Sequence, residues 1–400
     1  MSLPISVCLI VRNEERALPG CLDSIAPFVA EVIVVDTGST DRTRAIASGY
    51  EARIADFAWC DDFGAARNFA ASLASQPHIF VLDADERLVA ATLSSLEAYC
   101  RAARPVVGRV VRTNLADDNS TALTLESLSR LYPNLPGYRY HGRVHEQILC
   151  DGLPAHTVET GIELIHTGYS ASTLADGHKV ERNLRLLQLA HDADPTNAYV
   201  AYQIGRSEQA AGRLPQATTA YRAALARLDG RPPAESPYLS ALLVQLGYAL
   251  LDQHDLSALF DVLGLATELY PDFTDLYFLY GLALLQLDDP SRLADVGLTF
   301  EHCLTLGEPN PVHYESVPGV GSYRAAYNLG VFHESLGNNQ LAMSCFERAA
   351  ASNYMPAIER IRTGRRSSAA SGTQATPALR VAHPYFPNSG AHPSTSSADH

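Results

Sequence analysis

Four short apolar runs, Ile5–Val11, Glu31–Asp36, Ala52–Phe57 and His78–Leu82, alternate with stretches of helical spacing, and this constrains the fold more than any other feature. Ile5–Val11 is a continuous, largely β-branched run, as a strand buried on both faces requires. Glu14–Ile25 brings Leu18, Cys21, Leu22 and Ile25 onto one helix face. Asp41–Ser48 is a second helix, entered from the turn Thr37-Gly38-Ser39 with Ser39 or Thr40 as its cap, and Asp62–Ser75 is an Ala-rich third. Strands separated by helices of this length predict a mostly parallel sheet with right-handed crossovers. Ligands of such sheets bind beyond the carboxyl ends of the strands. The polar clusters Arg12-Asn13-Glu14-Glu15, Asp36 and Asp83-Ala84-Asp85-Glu86 all fall at those ends.

From about 105 to 170 the pattern changes to short alternating strands, Val106–Arg112, Thr124–Tyr132 and Gly161–His166, which predict a mixed extension of the sheet. A helix starts near Ser172 and runs through Lys179, Arg182, Asn183, Leu186 and Leu187. Residues 196–356 read as about four degenerate tetratricopeptide-like units anchored on Gly205, Gly247, Gly281 and Gly330, with extended loops at 230–237 and 307–321. Stacked units of this kind bury a shared core. Residues 364–400 are rich in Ser, Ala, Thr, Pro and Gly and are expected to be a disordered tail. The expected domains are therefore 1–190, 196–356 and the tail.

Charge narrows the function classes. Lys and Arg number 30 against 44 Asp and Glu, a net charge of −14, which argues against a nucleic-acid binder needing a basic face. A local anion site remains compatible with that balance, because a metal ion can supply the positive charge beside a diphosphate. MSLPISVCLIVRNEE lacks the basic-then-apolar pattern of a secretion signal, and no apolar run has the length of a membrane helix. Seven scattered cysteines without a CxxC pair read as reduced thiols, so a cytoplasmic location is expected.

Asp83 and Asp85, two carboxylates at i and i+2 on a turn after a buried strand, can reach a ribose and a hard divalent cation, Mg²⁺ or Mn²⁺. A solvated acidic turn is the plain alternative. Asp36 can likewise do no more than open the turn into a helix, and Arg67 can be a solvated charge. Trp59 is either core or a platform bordering an acceptor groove.

The blocks ISVCLIVRNEERALPGCLDSI, EVIVVDTGSTDRTRAIA, WCDDFGAARNFA and FVLDADE resemble those of family-two glycosyltransferases. RYHGRVHEQI and ELIHTGYS resemble later blocks of a bacterial subgroup that ends in tetratricopeptide repeats and includes enzymes similar to the peptide S-glycosyltransferases of glycocin biosynthesis. The resemblance covers about residues 4–190 and implies a GT-A catalytic domain followed by an all-α solenoid. It implies an inverting, metal-dependent transfer from a nucleotide-diphosphate sugar, commonly a UDP-hexose. It assigns Val11, Arg12, Asn13, Glu15 and Asp36 to the nucleotide, Arg67 and Asn68 to the pyrophosphate or donor sugar, and Asp83 to the ribose. Asp85 goes to the metal, completed by His166 with His145 as its rival. Glu146 leads the candidates for general base, with Asp62 or Asp61 behind it. The repeats suit a peptide or protein acceptor, and equally a homo-oligomer.

Two other classes compete. One is a repeat-based scaffold with an inactive nucleotide-sugar domain, but neither the DxD nor the Asp36 turn has been lost. The other is a nucleotidyltransferase or related nucleotide binder, against which stands the lack of GxxxxGK[ST] and of GxGxxG after the first strand.

Overall fold

The computed structural model describes residues 2–102, 106–116, 122–169, 177–230, 232–287 and 289–367. Its chain forms two compact units, Met1–Ala249 with Asn310–Glu315, and Leu250–Pro309 with Ser316 onward.

The first unit opens with β1 (Leu3–Val11), α1 (Leu18–Ile25), β2 (Val29–Asp36), α2 (Thr43–Gly49), β3 (Arg53–Asp56), α3 (Phe63–Ser72) and β4 (His78–Val81). It continues through β5 (Glu86–Leu88), α4 (Leu93–Arg101), β6 (Val107–Ala116), β7 (Ala122–Pro133), β8 (Tyr138–His141), β9 (Gln147–Cys150), β10 (Leu153–Pro154) and β11 (Thr157–Tyr169). One sheet has the order β3-β2-β1-β4-β7-β6-β11-β5, and β10-β9-β8 form a small second sheet. β3, β2, β1 and β4 run parallel, whereas β7 is antiparallel to β4 and β6, so the expected parallel half with a mixed extension is present. The chain passes from β3 back across β1 to β4, which makes the crevice at the carboxyl ends of β1 and β4 the switch point of the sheet.

β1 shows why its run is apolar throughout. Ile5, Val7, Leu9 and Val11 pack with Leu18, Cys21, Leu22 and Ile25 of α1. Cys8 lies on the opposite face, with Ile33, Val35, Ala70 and Ala71. Each fully buried Val, Leu or Ile contributes about 1.5–3 kcal/mol relative to exposure. α1 begins at Leu18, four residues after the expected start at Glu14. The cause is local: Asn13 adopts φ 58°, and its backbone N–H and those of Glu14 and Glu15 bond Ser39 Oγ, Thr43 Oγ1 and Asp41 Oδ2. The loops after β1 and β2 are thereby zipped together instead of one continuing a helix.

α5 (Gly177–Ala193), α6 (Ala198–Ala210), α7 (Leu214–Arg227) and α8 (Leu239–Asp252) follow. The expected start of α5 near Ser172 lies outside the described residues. The compact units divide inside α8, whereas the sequence patterning placed a boundary near 190. Side chains of α5 account for part of this: Arg185 binds Asp61 at 2.6 Å, and the Arg182 guanidinium lies 5.2 Å from the centre of the Phe63 ring.

The second unit contains α9 (Leu256–Leu269), α10 (Thr274–Gln286), α11 (Leu293–Leu306), α12 (Tyr323–Ser335), α13 (Asn339–Ala350) and α14 (Met355–Ser367). The repeat anchors act through packing. Phe300 and Phe346 approach the bare Cα of Gly281 and Gly330, where a Cβ would stand 2.8 and 2.6 Å from the ring. In the first unit Tyr221 makes the same approach to Gly205. α14 carries helix to Ser367, into the stretch expected to be tail, and residues 368–400 lie outside the described ones.

Candidate active site

The carboxyl end of β2 is a closed turn. Asp36, 3% exposed, accepts from the N–H groups of Gly38 at 3.1 Å and Ser39 at 2.8 Å through Oδ1, and from Arg44 at 3.0 Å through Oδ2. Burial opposes its charge, but these donors hold the carboxyl below its ordinary value. Val11 O accepts from Thr37 N, and Asn13 Oδ1 from Thr40 N at 2.8 Å, while Glu15 accepts from Arg42 N at 3.2 Å. Among the nucleotide candidates, then, Asn13, Glu15 and Asp36 are bound into the paired loops, and Arg12 is exposed beside them.

The turn after β4 carries the densest charge. Asp83 Oδ1 meets Arg67 Nη2 at 2.8 Å and Asp83 Oδ2 meets Arg130 Nη2 at 2.6 Å. Burial disfavours the Asp83 carboxylate, but Arg130 and then Arg67 outweigh it and hold the group well below the usual range. Arg67 also binds Glu146 through Nε. Glu86, fully buried, bonds the Asp83 N–H at 3.0 Å and pairs with Arg130 at 2.7 Å and Arg112 at 2.9 Å. Arg112 pairs in turn with Glu126. Three buried polar atoms in this group have no hydrogen-bond partner: Arg67 Nη1, Arg130 Nε and Tyr140 Oη. The Arg67 guanidinium lies 5.6 Å from the centre of the Tyr140 ring.

Asp85 and His166 come together, with Oδ2 3.0 Å from Nε2. Strand register causes this, since His166 on β11 pairs with Glu86 on β5 and with Asn114 on β6. His145 lies in the turn joining β8 to β9, with φ 51°. Among the described residues no group of three or more His, Cys, Asp or Glu side chains is arranged to hold a metal alone. One carboxylate and one imidazole still fit a divalent cation that takes its remaining oxygens from a diphosphate and water, the usual habit of Mg²⁺ and Mn²⁺ in phosphate sites.

The three base candidates differ in what occupies them. Asp62 caps α3 by accepting from Ala65 N at 2.8 Å. Asp61 is held by Arg185 and by Trp59 Nε1 at 2.9 Å, and Arg185 foremost brings its carboxyl down to about 2. Glu146 is engaged by Arg67, and it lies in the turn between β8 and β9. Asn68 uses both ends of its amide on the Tyr140 backbone, each at 2.8 Å, so it fastens β8 to α3.

Arg112, Asn114, Glu126 and Arg130 were not foreseen as site residues. Their signal was present as polar residues on one face of each of two strands, Arg112 and Asn114 two apart on β6, Glu126 and Arg130 four apart on β7. Arg206 and Glu315, paired at 2.9 Å, join the same network, and Arg206 adds to the pull on Glu126. No local pattern pointed to either.

Residues 6–150 match the sequence model of the family described as Glycosyl transferase family 2. A TPR repeat-containing protein of Synechococcus elongatus is 32% identical over 265 residues, covering 64% of this chain and 64% of that protein. The lipopolysaccharide core biosynthesis glycosyltransferase LpsC of Rhizobium meliloti is 37% identical over 116 residues, 28% of this chain and 42% of its own. The SPbeta prophage-derived glycosyltransferase SunS of Bacillus subtilis is 29% identical over 215 residues, 51% of this chain and 49% of its own. The chain thus spans less than two thirds of each of these relatives. No helix among the described residues is long and apolar enough to cross a membrane.

Proposed function

We infer that this chain, whose residues 6–150 carry the family-two glycosyltransferase pattern, transfers a sugar from a nucleotide-diphosphate donor to an acceptor. The observation that carries the reading is the charge arrangement at the switch point. Three arginines, Arg67, Arg112 and Arg130, pair with four carboxylates, Asp83, Glu86, Glu126 and Glu146, and a fifth, Asp85, lies against His166. The two negative charges in excess suit a divalent cation at Asp85 and His166. Such a cation supplies Lewis-acid stabilisation of the departing diphosphate. Arg67 Nη1 and Arg130 Nε, buried donors without partners, support an anionic group near Asp83.

The donor proposed is a UDP-sugar, with Val11, Arg12 and the Asp36 turn bordering the nucleotide and Asp83 the ribose. Inversion follows if Glu146 removes the acceptor proton while the acceptor attacks the anomeric carbon from the face opposite the diphosphate. Arg67 then holds Glu146 in place through its Nε. A peptide or protein acceptor is supported by the helical hairpins and by the similarity to a TPR repeat-containing protein, since such repeats form extended binding surfaces. A cytoplasmic setting is supported by seven unpaired thiols.

The test is a donor-hydrolysis and transfer screen with UDP-, GDP- and dTDP-sugars, with Mn²⁺ or Mg²⁺ and with EDTA. Turnover with one nucleotide class that stops in EDTA is the expected result. Binding of a nucleotide sugar without any hydrolysis or transfer across the panel would favour the inactive scaffold.

A further inference from the structure

We propose that Asn114 and Glu126 are positioning residues that dictate the tautomer of His166, placing the proton on Nδ1 and a lone pair on Nε2 beside Asp85. This rests on the reading of Asp85 and His166 as the metal pair.

The chain of contacts runs inward from a salt bridge. Glu126 on β7 receives Arg112 through Nε at 3.0 Å and through Nη2. A carboxylate so paired is ionised and can only accept hydrogen bonds. Burial opposes its charge, but Arg112 foremost, then Asn114, brings the group down to about 2. Glu126 Oε1 lies 2.8 Å from the Asn114 amide nitrogen, so that end of the amide must be the NH₂ donor. The other end is then the carbonyl, an acceptor, and it stands 2.7 Å from His166 Nδ1. Two acceptors cannot share that contact, so Nδ1 carries the proton. A neutral imidazole protonated on Nδ1 has its lone pair on Nε2.

That lone pair faces Asp85 Oδ2 at 3.0 Å. Two acceptors in opposition are stable only with a positive charge supplied between or beside them, whether a proton or a cation. The relay is rigid. Asn114 is 2% exposed and His166 7%, and both lie on paired strands whose register sets them side by side. Partners of this kind orient metal-bound histidines, and removing them costs about 10–100-fold in metal affinity.

Two measurements test it. In ¹⁵N-histidine-labelled protein, with the His166 signal assigned by its loss in His166→Asn, Nδ1 should bear the proton with and without Mg²⁺. A proton on Nε2 and none on Nδ1 overturns the proposal. Glu126→Gln can donate, which lets the Asn114 amide turn over and present NH₂ to Nδ1. Its Mn²⁺ affinity, read by electron paramagnetic resonance, should fall about 10–100-fold. Asn114→Asp combined with Glu126→Gln exchanges donor and acceptor, returns an acceptor to Nδ1 and should recover most of that loss. Unchanged affinity in the single variant, or no recovery in a folded double variant, overturns the assignment. Should Glu126→Gln fail to fold, the wild-type tautomer still decides. Wild-type protein that binds no Mn²⁺ yet shows the Nδ1 proton refutes the metal reading and upholds the positioning role.

Discussion

Arg67 joins Asp83 and Glu146 through a single guanidinium, Nη2 reaching Asp83 at 2.8 Å and Nε reaching Glu146. The side chain proposed to border the donor ribose and the side chain proposed to take the acceptor's proton are therefore held by one residue. Arg67→Ala leaves two carboxylates facing each other without their shared counter-charge. The folded protein should lose about 3–5 kcal/mol in a denaturant titration, the cost of orphaning buried ionic partners. Arg67→Lys, a point charge without the fork, should keep more of the fold but lose transfer activity. A stability loss below about 1 kcal/mol for the alanine variant would contradict this, given the scale for buried pairs.

Glu146→Gln keeps the shape and a partner for Arg67 but removes the basic oxygen. Transfer to a hydroxyl acceptor should fall by about 10²–10⁴-fold, with donor affinity nearly unchanged in a separate binding titration. Loss of donor affinity with little effect on the chemical step would move Glu146 into donor binding. A thiol acceptor should show a smaller effect, since a cysteine is already partly thiolate near neutral pH.

Asp85→Asn should weaken nucleotide-sugar binding in the presence of Mn²⁺ and leave the EDTA-treated protein's binding unaltered. The variable that matters is the difference between the two conditions, measured calorimetrically. An equal loss in both would mean that Asp85 acts without a metal.

Acid should unfold the first unit through Asp83 and Glu126. Both carboxyls sit below their ordinary values in the folded state, Glu126 at about 2. Between roughly pH 4.5, where unfolded carboxyls titrate, and pH 2, the unfolded chain binds more protons, so stability rises with pH across that window. Melting temperature should drop as pH falls from about 4.5, and Asp83→Asn should flatten the slope. A melting temperature constant down to about pH 3 would refute the ion-pair account.

Packing at the first repeat anchor gives a further test. A Cβ on Gly205 would stand 2.4 Å from Tyr221 Cδ1, and the Tyr221 hydroxyl is fixed by donating to Gln209 Oε1 at 2.6 Å. Overpacking costs about 1–3 kcal/mol, and the better helix propensity of alanine returns up to about 1. Gly205→Ala should therefore destabilise modestly, whereas Gly264→Ala, with open space around it, should not.

Periodicity made β1, β2, β3 and β4 readable because each is apolar, short and bounded by turn residues. It also made three of the repeat anchors readable, Gly205, Gly281 and Gly330, each met by an aromatic ring. Glu86–Leu88 went unseen as a strand because its first residue belongs to an acidic turn in the linear pattern. Only its pairing with β11 reveals that this carboxylate is buried. Asp83, Asp85 and His166 could be singled out by residue type, yet the arginines that control Asp83 come from 16 positions before and 47 after it. Charge on strands has no local periodic cue to its partner. That is also why Asp61 and Asp62 could be weighed as bases with no sign in the sequence of the cap and the Arg185 pairing that engage them.

Asn68 clasps the Tyr140 backbone from both sides, and at Gly64 a Cβ would come within 2.6 Å of Gly142 O. One helix, α3, thus carries the seat for the hairpin, the clasp that locks it and, at Arg67, the cation that meets Glu146. Helix and hairpin are therefore bound into one unit through Gly64, Arg67 and Asn68 together. Residues 138–150 moved to a scaffold that lacks α3 would carry Glu146 away from the arginine that holds it.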